Sequence, residues 1–238
     1  MAEAQPQWKA FYTAESRYVC FTPEREPLER SRVRLVQRLW PGPVAAALDV
    51  GCGDGFLCSE WVRWRSARQV HGTDLVADRV ARARQAVPSG HFSVQSAYAL
   101  SFPDQRFDLV SLVETLEHME RPEQVLHEAA RVTNRYVLIT VPYREDIEAN
   151  QCLCPYCLKR FHPAGHLHSF DEAALTALCA LAGLTVRWLR VQSYLRVFDR
   201  HPILSRWPAG VVEWLQERAR RAQLIQGTFL GVLAERAA

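Results

Sequence analysis

The segment Asp49–Gly55 reads Asp-Val-Gly-Cys-Gly-Asp-Gly and directly follows a short apolar run. In a turn from a buried strand to a helix, Gly51 would allow a tight bend and Gly53 a close approach of backbone to a ligand. Gly55 would allow the helix to pack close to the strand. Asp74 ends the next apolar run, 19 residues after Gly55, where a carboxylate can accept hydrogen bonds from both hydroxyls of a ribose. The pattern predicts a nucleoside-binding turn.

The charge of this turn indicates what kind of nucleoside it would bind. Sites for dinucleotides usually have the spacing G-x-G-x-x-G, which places a pyrophosphate at a helix N-terminus. Here the spacing is G-x-G-x-G, and the turn carries Asp49 and Asp54. These carboxylates would repel a pyrophosphate and would suit a ligand with an ammonium or sulfonium group.

A second cluster combines cysteines with histidines at the spacing C-x2-C-x4-H-x3-H. The four candidate metal ligands are Cys154, Cys157, His162 and His166. Two thiolates followed by two imidazoles can complete a tetrahedral zinc site, and four protein ligands leave no open position, which indicates a structural role. Cys152 or His168 could replace one of the four. A redox-active C-x-x-C motif and a surface loop without metal are the alternatives.

Glu114, Glu117 and His118 follow the apolar run 107–113 at positions i, i+3 and i+4. Ligands of open α/β sheets bind beyond the carboxyl ends of strands, so these side chains are candidates for chemistry. His118, with Glu117 beside it, could deprotonate a hydroxyl or amine of an acceptor. The alternative is that His118 only packs beside the ligand.

The elements that must position these residues follow from hydrophobic periodicity. Apolar runs predict strands at 45–50, 69–75, 92–95, 107–113, 136–141, 184–197 and 228–234. Helical periodicity predicts helices at 28–40, 56–66, 76–86, 122–132, 171–182 and 203–222. This alternation predicts an α/β fold with a doubly wound, mostly parallel sheet of about seven strands and an antiparallel hairpin at one edge.

The same pattern divides the chain into four parts. Residues 1–43 form an N-terminal helical cap, 44–143 the ligand-binding half of the core, 144–170 a Cys/His-rich insertion, and 171–238 the rest of the core with a helix on the substrate side. We expect the cap and the insertion to cover the carboxyl ends of the strands. The candidates for an acceptor pocket are Tyr12, Arg17, Tyr18, Tyr143, Trp207 and Trp214.

Composition narrows the class of protein. The 238 residues are 48% hydrophobic and carry a net charge of only +3, which fits a folded domain and does not indicate nucleic-acid binding. No window of 18 apolar residues and no signal peptide are visible, so we expect no membrane segment. An odd count of seven cysteines argues against a disulfide framework and favours the reducing cytoplasm. The oligomeric state is not indicated.

These residues together resemble the class I, Rossmann-like S-adenosylmethionine-dependent methyltransferases. Besides the turn and Asp74, the resemblance includes AYALSFPDQRFD at 97–108, LVSLVETLEH at 109–118 and the helix 175–184 with Gly183. It covers roughly 45–141 and 170–234. One departure is Ser96, which stands where the family often has an aspartate near the adenine amine, although a hydroxyl can also accept that hydrogen bond.

The resemblance implies a cofactor, S-adenosylmethionine, and a set of contacts to it. Asp49, Gly51, Gly53 and Gly55 would surround its methionine part, with Cys52 filling space in the turn. Asp74 would hold the ribose, Leu75, Ser96 and Ala97 would contact the adenine, and Val113 and Glu114 would close the amino-acid end. The implied reaction is direct in-line transfer of the methyl group to an oxygen or nitrogen of a small molecule.

Two alternatives remain from the same residues. The small-RNA 3′-terminal 2′-O-methyltransferases, which this chain also resembles at Glu114, Glu117 and His118, bind a divalent cation with such a run and a later histidine. Here that histidine could be His168, and the cation would lower the pKa of the acceptor hydroxyl. The second alternative is a non-catalytic, cofactor-binding scaffold protein.

Overall fold

The computed structural model of the chain describes residues 6–15, 27–195 and 206–237. The helices are α1 (Pro6–Glu15), α2 (Pro27–Leu39), α3 (Phe56–Trp64), α4 (Ala77–Ala86), α5 (Pro122–Val132), α6 (Glu172–Leu181) and α7 (Ala209–Arg221). The strands are β1 (Val44–Val50), β2 (Ala67–Asp74), β3 (His91–Val94), β4 (Phe107–Val113), β5 (Thr133–Pro142), β6 (Cys152–Leu153), β7 (Arg160–Phe161), β8 (Leu184–Gln192) and β9 (Phe229–Arg236). A 3-10 turn, Leu116–His118, follows β4.

The described residues form one seven-stranded sheet in the order β3-β2-β1-β4-β5-β9-β8. The first five of these strands run parallel, and β9 is antiparallel to both of its neighbours, β5 and β8. The predicted doubly wound sheet with an antiparallel edge is confirmed. The strand order reverses between β1 and β4, the point of an open α/β sheet where ligands bind.

Helices cover both faces of the sheet. On one face α5 and α6 pack through residues such as Leu126 and Leu175, and on the other α2, α3 and α4 pack through residues such as Leu35 and Trp61. The central strands are therefore buried on both sides, and for this reason they appear in the sequence as continuous apolar runs.

The structure differs from the sequence prediction mainly near the C-terminal end of the core and in the insertion. The strand predicted at 184–197 ends at Gln192, and residues 193–195 that follow it are not strand. The helix predicted at 203–222 begins at Ala209, directly after Pro208, among the described residues. The insertion contains a short hairpin of β6 and β7 that periodicity did not reveal, because each strand has only two residues.

The helices in the described ranges are all too short or too polar to cross a membrane.

Candidate functional site

A cavity of about 360 Å³ lies where β1, β2 and β4 end. Ten of the eleven residues predicted to contact the cofactor line it: Asp49, Gly51, Cys52, Gly53, Asp74, Leu75, Ser96, Ala97, Val113 and Glu114. Both predicted catalytic residues, Glu117 and His118, also line it. The structure thus brings together residues from four separate parts of the sequence around one space.

Each of the three glycines of the turn has a different structural role. A Cβ on Gly51, at φ 81°, would lie 2.7 Å from the hydroxyl of Thr115, so the turn requires glycine there. A Cβ on Gly53, at φ 55°, would meet nothing within 4 Å, which leaves its backbone open toward the cavity. Gly55 was predicted to lie beside the methionine part of the cofactor, but it does not line the cavity. A Cβ on Gly55 would lie 2.9 Å from Ala83. Gly55 therefore allows α3 to pack on α4, and not on a strand.

The carboxylate of Asp74 is buried at the end of β2 and joins two segments of backbone. Its Oδ2 accepts the N–H of Gly53 at 3.0 Å and its Oδ1 accepts the N–H of Val76 at 2.9 Å. Each carboxylate oxygen has a second lone pair, so both remain able to accept a further hydrogen bond, as a ribose diol would require.

Asp49 lies at the end of β1 with 3% of its surface exposed and accepts a hydrogen bond from the hydroxyl of Ser111. Burial raises its pKa to about 7, the hydrogen bond from Ser111 opposes the rise, and the carboxylate of Asp74 adds to it. Near neutral pH the group is therefore only partly ionised. A cationic ligand in the cavity would favour its charged form.

Cys52 packs within the turn with 6% of its surface exposed. Burial and the nearby Asp49 keep the pKa of its thiol well above the ordinary value. A protonated, buried thiol is a poor nucleophile, which agrees with the predicted space-filling role.

Glu114 follows β4 at φ 50°, a backbone conformation that is uncommon for any residue other than glycine. Its Oε1 accepts the hydroxyl of Thr140 at 2.9 Å, and its Oε2 lies 3.7 Å from the guanidinium of Arg32. Arg32 and its ion-pair partner Glu29 belong to α2 and line the same cavity. Sequence reasoning missed both, because the helical pattern of this arginine-rich segment only indicated an amphipathic helix.

Glu117 is fully buried, and neither of its carboxylate oxygens has a hydrogen-bond partner among the described residues. Burial and the carboxylate of Glu114 raise its pKa well above the ordinary value. His118 lies beside it, with 3.9 Å between His118 Nε2 and Glu117 Oε1. Burial, with the nearby His166, lowers the pKa of His118 to about 3, so its imidazole is neutral near pH 7.

His166 of the insertion joins this pair. Ligand atoms of Glu117, His118 and His166 all lie within 4.8 Å of one another, an arrangement that could hold a metal ion. The alternative with a catalytic cation named His168 as the later histidine, whereas the structure places His166 in this group. Gly165, at φ 75°, turns the chain so that His166 faces the cavity, whereas His168 lies against Phe170 with 6.1 Å between ring centroids.

The four predicted zinc ligands are not gathered around one point in this structure. Cys154 and Cys157 lie on the loop between β6 and β7, where Cys157 is exposed. His162 is buried instead and pairs with Glu145. Among the described residues, no cluster of metal-ligating atoms combines these thiols with the two histidines, so local spacing alone did not bring the four together. Zinc binding by this set remains a prediction without support from the geometry.

Of the residues predicted for an acceptor pocket, Tyr12 lines the cavity, with its ring 5.7 Å from that of His118. Tyr143 instead donates a hydrogen bond to Glu172 at 2.8 Å, outside the cavity lining. Trp207 and Trp214 are exposed elsewhere, and Arg17 and Tyr18 fall outside the described residues.

Comparison with known proteins agrees with this geometry. Residues 48–139, which hold the turn, Asp74 and the Glu117–His118 pair, match the family model described as a methyltransferase domain. This segment is therefore similar to methyltransferase domains. The mostly parallel, seven-stranded sheet that contains it is similar in fold to those of Rossmann-like methyltransferases.

Curated relatives of the chain include an O-methyltransferase and an N-methyltransferase. The mitochondrial ubiquinone biosynthesis O-methyltransferase of Saccharomyces cerevisiae is 31% identical over 114 residues, which cover 46% of this chain and 35% of the yeast protein. Norajmaline N-methyltransferase of Rauvolfia serpentina is 30% identical over 154 residues, which cover 60% of this chain and 49% of the plant protein. The chain thus spans between a third and a half of these relatives.

Solved structures share the fold over most of the chain. An S-adenosylmethionine-dependent methyltransferase from Mesorhizobium loti superposes with a TM-score of 0.62 at 18% identity, over 87% of this chain and 98% of its own. The [4+2]-cyclase SpnF superposes with a TM-score of 0.62 at 22% identity, over 88% of this chain and 82% of its own. At such identities the likeness concerns the fold alone.

Proposed function

We propose that the chain transfers the methyl group of S-adenosylmethionine to an oxygen or nitrogen of a small-molecule acceptor. The observation that carries this proposal is the cavity at the switch between β1 and β4, into which the backbone of Gly53 opens between the carboxylates of Asp49 and Asp74. The O-methyltransferase and the N-methyltransferase among the relatives support the choice of acceptor atom.

Each part of the cofactor has a matching group in the cavity. The free lone pairs of Asp74 suit the ribose hydroxyls, and the hydroxyl of Ser96, which lines the same wall, suits the adenine edge. Asp49 suits the cationic methionine part, because its carboxylate gains stability when a positive charge enters. Arg32, which enters from α2, can pair with the carboxylate of the methionine part.

In the proposed reaction a lone pair of the acceptor attacks the methyl carbon in line with the carbon–sulfur bond. That bond breaks, its electrons stay on sulfur, and the acceptor proton moves to the Glu117–His118 pair. The protein contributes mainly by positioning the two reactants and by excluding water from the cavity. The net charge of +3 offers little attraction for a polyanion, which favours a small acceptor over RNA.

Gly53→Val tests cofactor binding, and Gly183→Val is its matched control. Both glycines have positive φ, 55° and 72°, and a Cβ on either would meet nothing within 4 Å, so the two substitutions strain the backbone alike. Only Gly53 lines the cavity. We expect Gly53→Val to abolish binding of S-adenosylhomocysteine in calorimetry while Gly183→Val retains it. Equal binding by both variants would exclude this turn as the cofactor site.

A second candidate is a cation-dependent transfer to a hydroxyl, the reaction type of the RNA 3′-end enzymes. It is favoured by one observation: the buried oxygens of Glu117 lack hydrogen-bond partners among the described residues and lie near two imidazoles. A divalent cation held by Glu117, His118 and His166 would stabilise a deprotonated hydroxyl of the acceptor. The buried carboxylate, otherwise left without a compensating charge, fits such an ion.

Removal and return of the cation separates the two candidates. If the cation takes part, turnover of S-adenosylmethionine should stop in a chelator and resume with Mg²⁺ or Mn²⁺. If His118 acts as the base, turnover should persist in the chelator and fall about 100-fold or more in His118→Ala with cofactor affinity unchanged. Cofactor binding without turnover on any acceptor would favour the scaffold alternative.

A further inference from the structure

The insertion contributes directly to the wall of the cavity. Ala164 and His166 line it, and the backbone N–H groups of Leu167 and His168 donate to the carbonyl of Glu117 at 2.7 and 3.3 Å. The segment that carries His166 is therefore fixed to the 3-10 turn that carries Glu117 and His118.

Glu145 lies behind that imidazole, three residues after the end of β5. Its Oε2 is 2.5 Å from Nδ1 of His166, and its Oε1 is 3.2 Å from Nε2 of His162. All three side chains are at most 16% exposed. The carboxylate of Glu145 thus contacts both imidazoles at hydrogen-bond distance in a partly buried position. Such contacts restrict the orientation of both rings.

The hydrogen bonds fix which ring nitrogens carry protons. The N–H of His166 donates to Nδ1 of His162 at 3.2 Å, so the proton of His162 lies on Nε2 and is donated to Glu145. An ionised carboxylate only accepts hydrogen bonds, so His166 donates to it from Nδ1. The Nε2 of His166 is then left with a free lone pair. The rings of the two histidines stack, with centroids 4.5 Å apart, which limits their rotation.

The same reasoning applies to His118, whose Nδ1 lies 3.4 Å from the carbonyl of Gly165. A carbonyl also only accepts, so His118 presents the lone pair of Nε2 toward Glu117. Ligand atoms of Glu117, His118 and His166 lie within 4.8 Å of one another, and neither oxygen of Glu117 has a hydrogen-bond partner among the described residues. Such a set of acceptors requires a cation or a shared proton.

We infer that Glu145 is a positioning residue: its carboxylate, braced by His162, holds His166 in the Nδ1-protonated form with Nε2 directed at Glu117 and His118. This inference rests on the cation-dependent form of the proposed function. Histidine ligands of metals commonly donate their second nitrogen to a carboxylate, which fixes the ring and raises its basicity, and loss of that partner weakens metal binding about 10- to 100-fold.

The experiment compares Glu145→Gln with Glu148→Gln in the full chain. Glu148 lies on the same segment and is exposed, so its substitution removes the same charge without touching the histidines. Mn²⁺ affinity is measured by electron paramagnetic resonance, and the protonated nitrogen of His166 by ¹H–¹⁵N correlation of the imidazoles in the protein without metal. Affinity for S-adenosylhomocysteine and the unfolding midpoint report any general structural damage.

We expect the wild-type protein and Glu148→Gln to bind Mn²⁺ equally and to show His166 protonated on Nδ1. Glu145→Gln should bind Mn²⁺ about 10- to 100-fold more weakly, lose that defined tautomer and keep its cofactor affinity. Unchanged Mn²⁺ affinity and tautomer in Glu145→Gln would overturn the positioning role alone. Failure of the wild-type protein to bind Mn²⁺ would overturn the cation-dependent function and the inference with it, while cofactor binding would still stand.

Discussion

The buried carboxyl group of Asp49 makes the free energy of unfolding depend on pH, and this dependence can be measured without any ligand. Its pKa is about 7 in the folded chain, raised by burial from an ordinary value of 3.8. Between those values the folded state retains a proton that the unfolded chain has released, so the free energy of unfolding falls as pH rises through this window and is level above it. Asp49→Asn removes the titration and can still accept from Ser111.

The size of the effect follows from the two pKa values. One unit corresponds to about 1.4 kcal/mol, and the part of the shift that titrates between pH 5 and pH 8 is worth about 3 kcal/mol. We therefore expect the stability of Asp49→Asn relative to the wild-type protein to increase by about 3 kcal/mol from pH 5 to pH 8. Urea unfolding of both proteins at the two pH values, without cofactor, gives this difference directly.

Asp108→Asn provides the control. Although burial opposes it, hydrogen bonds from the N–H of Ala46, from Asn134 and from the N–H of Ala45 lower the pKa of Asp108 below the ordinary value. It stays ionised in both folded and unfolded chains between pH 5 and pH 8, so its substitution should cost the same at both. A stability difference for Asp49→Asn that does not change with pH would refute the reasoning about its burial.

Two further predictions concern the edges of the site. Arg32→Ala should weaken S-adenosylhomocysteine about tenfold or more in calorimetry but leave 5′-methylthioadenosine, which lacks the amino-acid carboxylate, unaffected; equal losses for both ligands would exclude the proposed ion pair. Cys154→Ser combined with Cys157→Ser should leave affinity for cofactor and for Mn²⁺ unchanged, because both thiols lie outside the cavity lining. Elemental analysis of the same variant and of the wild-type protein shows whether these thiols hold zinc.

The sequence predicts best those elements whose burial follows a regular pattern along their length. The bounds of β4 (Phe107–Val113) and α5 (Pro122–Val132) are as predicted, because β4 is one apolar run and α5 begins at a proline and has a regular apolar face. The residues around the turn were predicted for a similar reason: a tight bend needs glycine, and Gly51 has no room for a side chain.

The site residues that the sequence did not predict are placed by contacts between segments that are distant in the chain. Arg32 reaches the cavity because α2 packs across β5, β8 and β9, and no local pattern distinguishes it from the other arginines of that helix. His166 was predicted as a zinc ligand by its spacing from Cys154, but its partners in the structure are Glu145 and the Glu117–His118 pair. Periodicity reports which face of an element is buried and not which remote side chain it meets.

The packing of α2 on β8 and β9 has a consequence for the order in which parts of the chain fold during synthesis. Leu35 and Leu39 lie against Gly231 of β9, where any side chain would come within 2.5 Å of Leu39. Ser31 receives a hydrogen bond from Gln192 of β8 at 2.7 Å. The helix that carries Glu29 and Arg32 thus leaves the ribosome before the two strands that support it, β8 and β9. We expect a nascent chain to form its parallel strands early and to close the cavity only after β9 has inserted between β5 and β8.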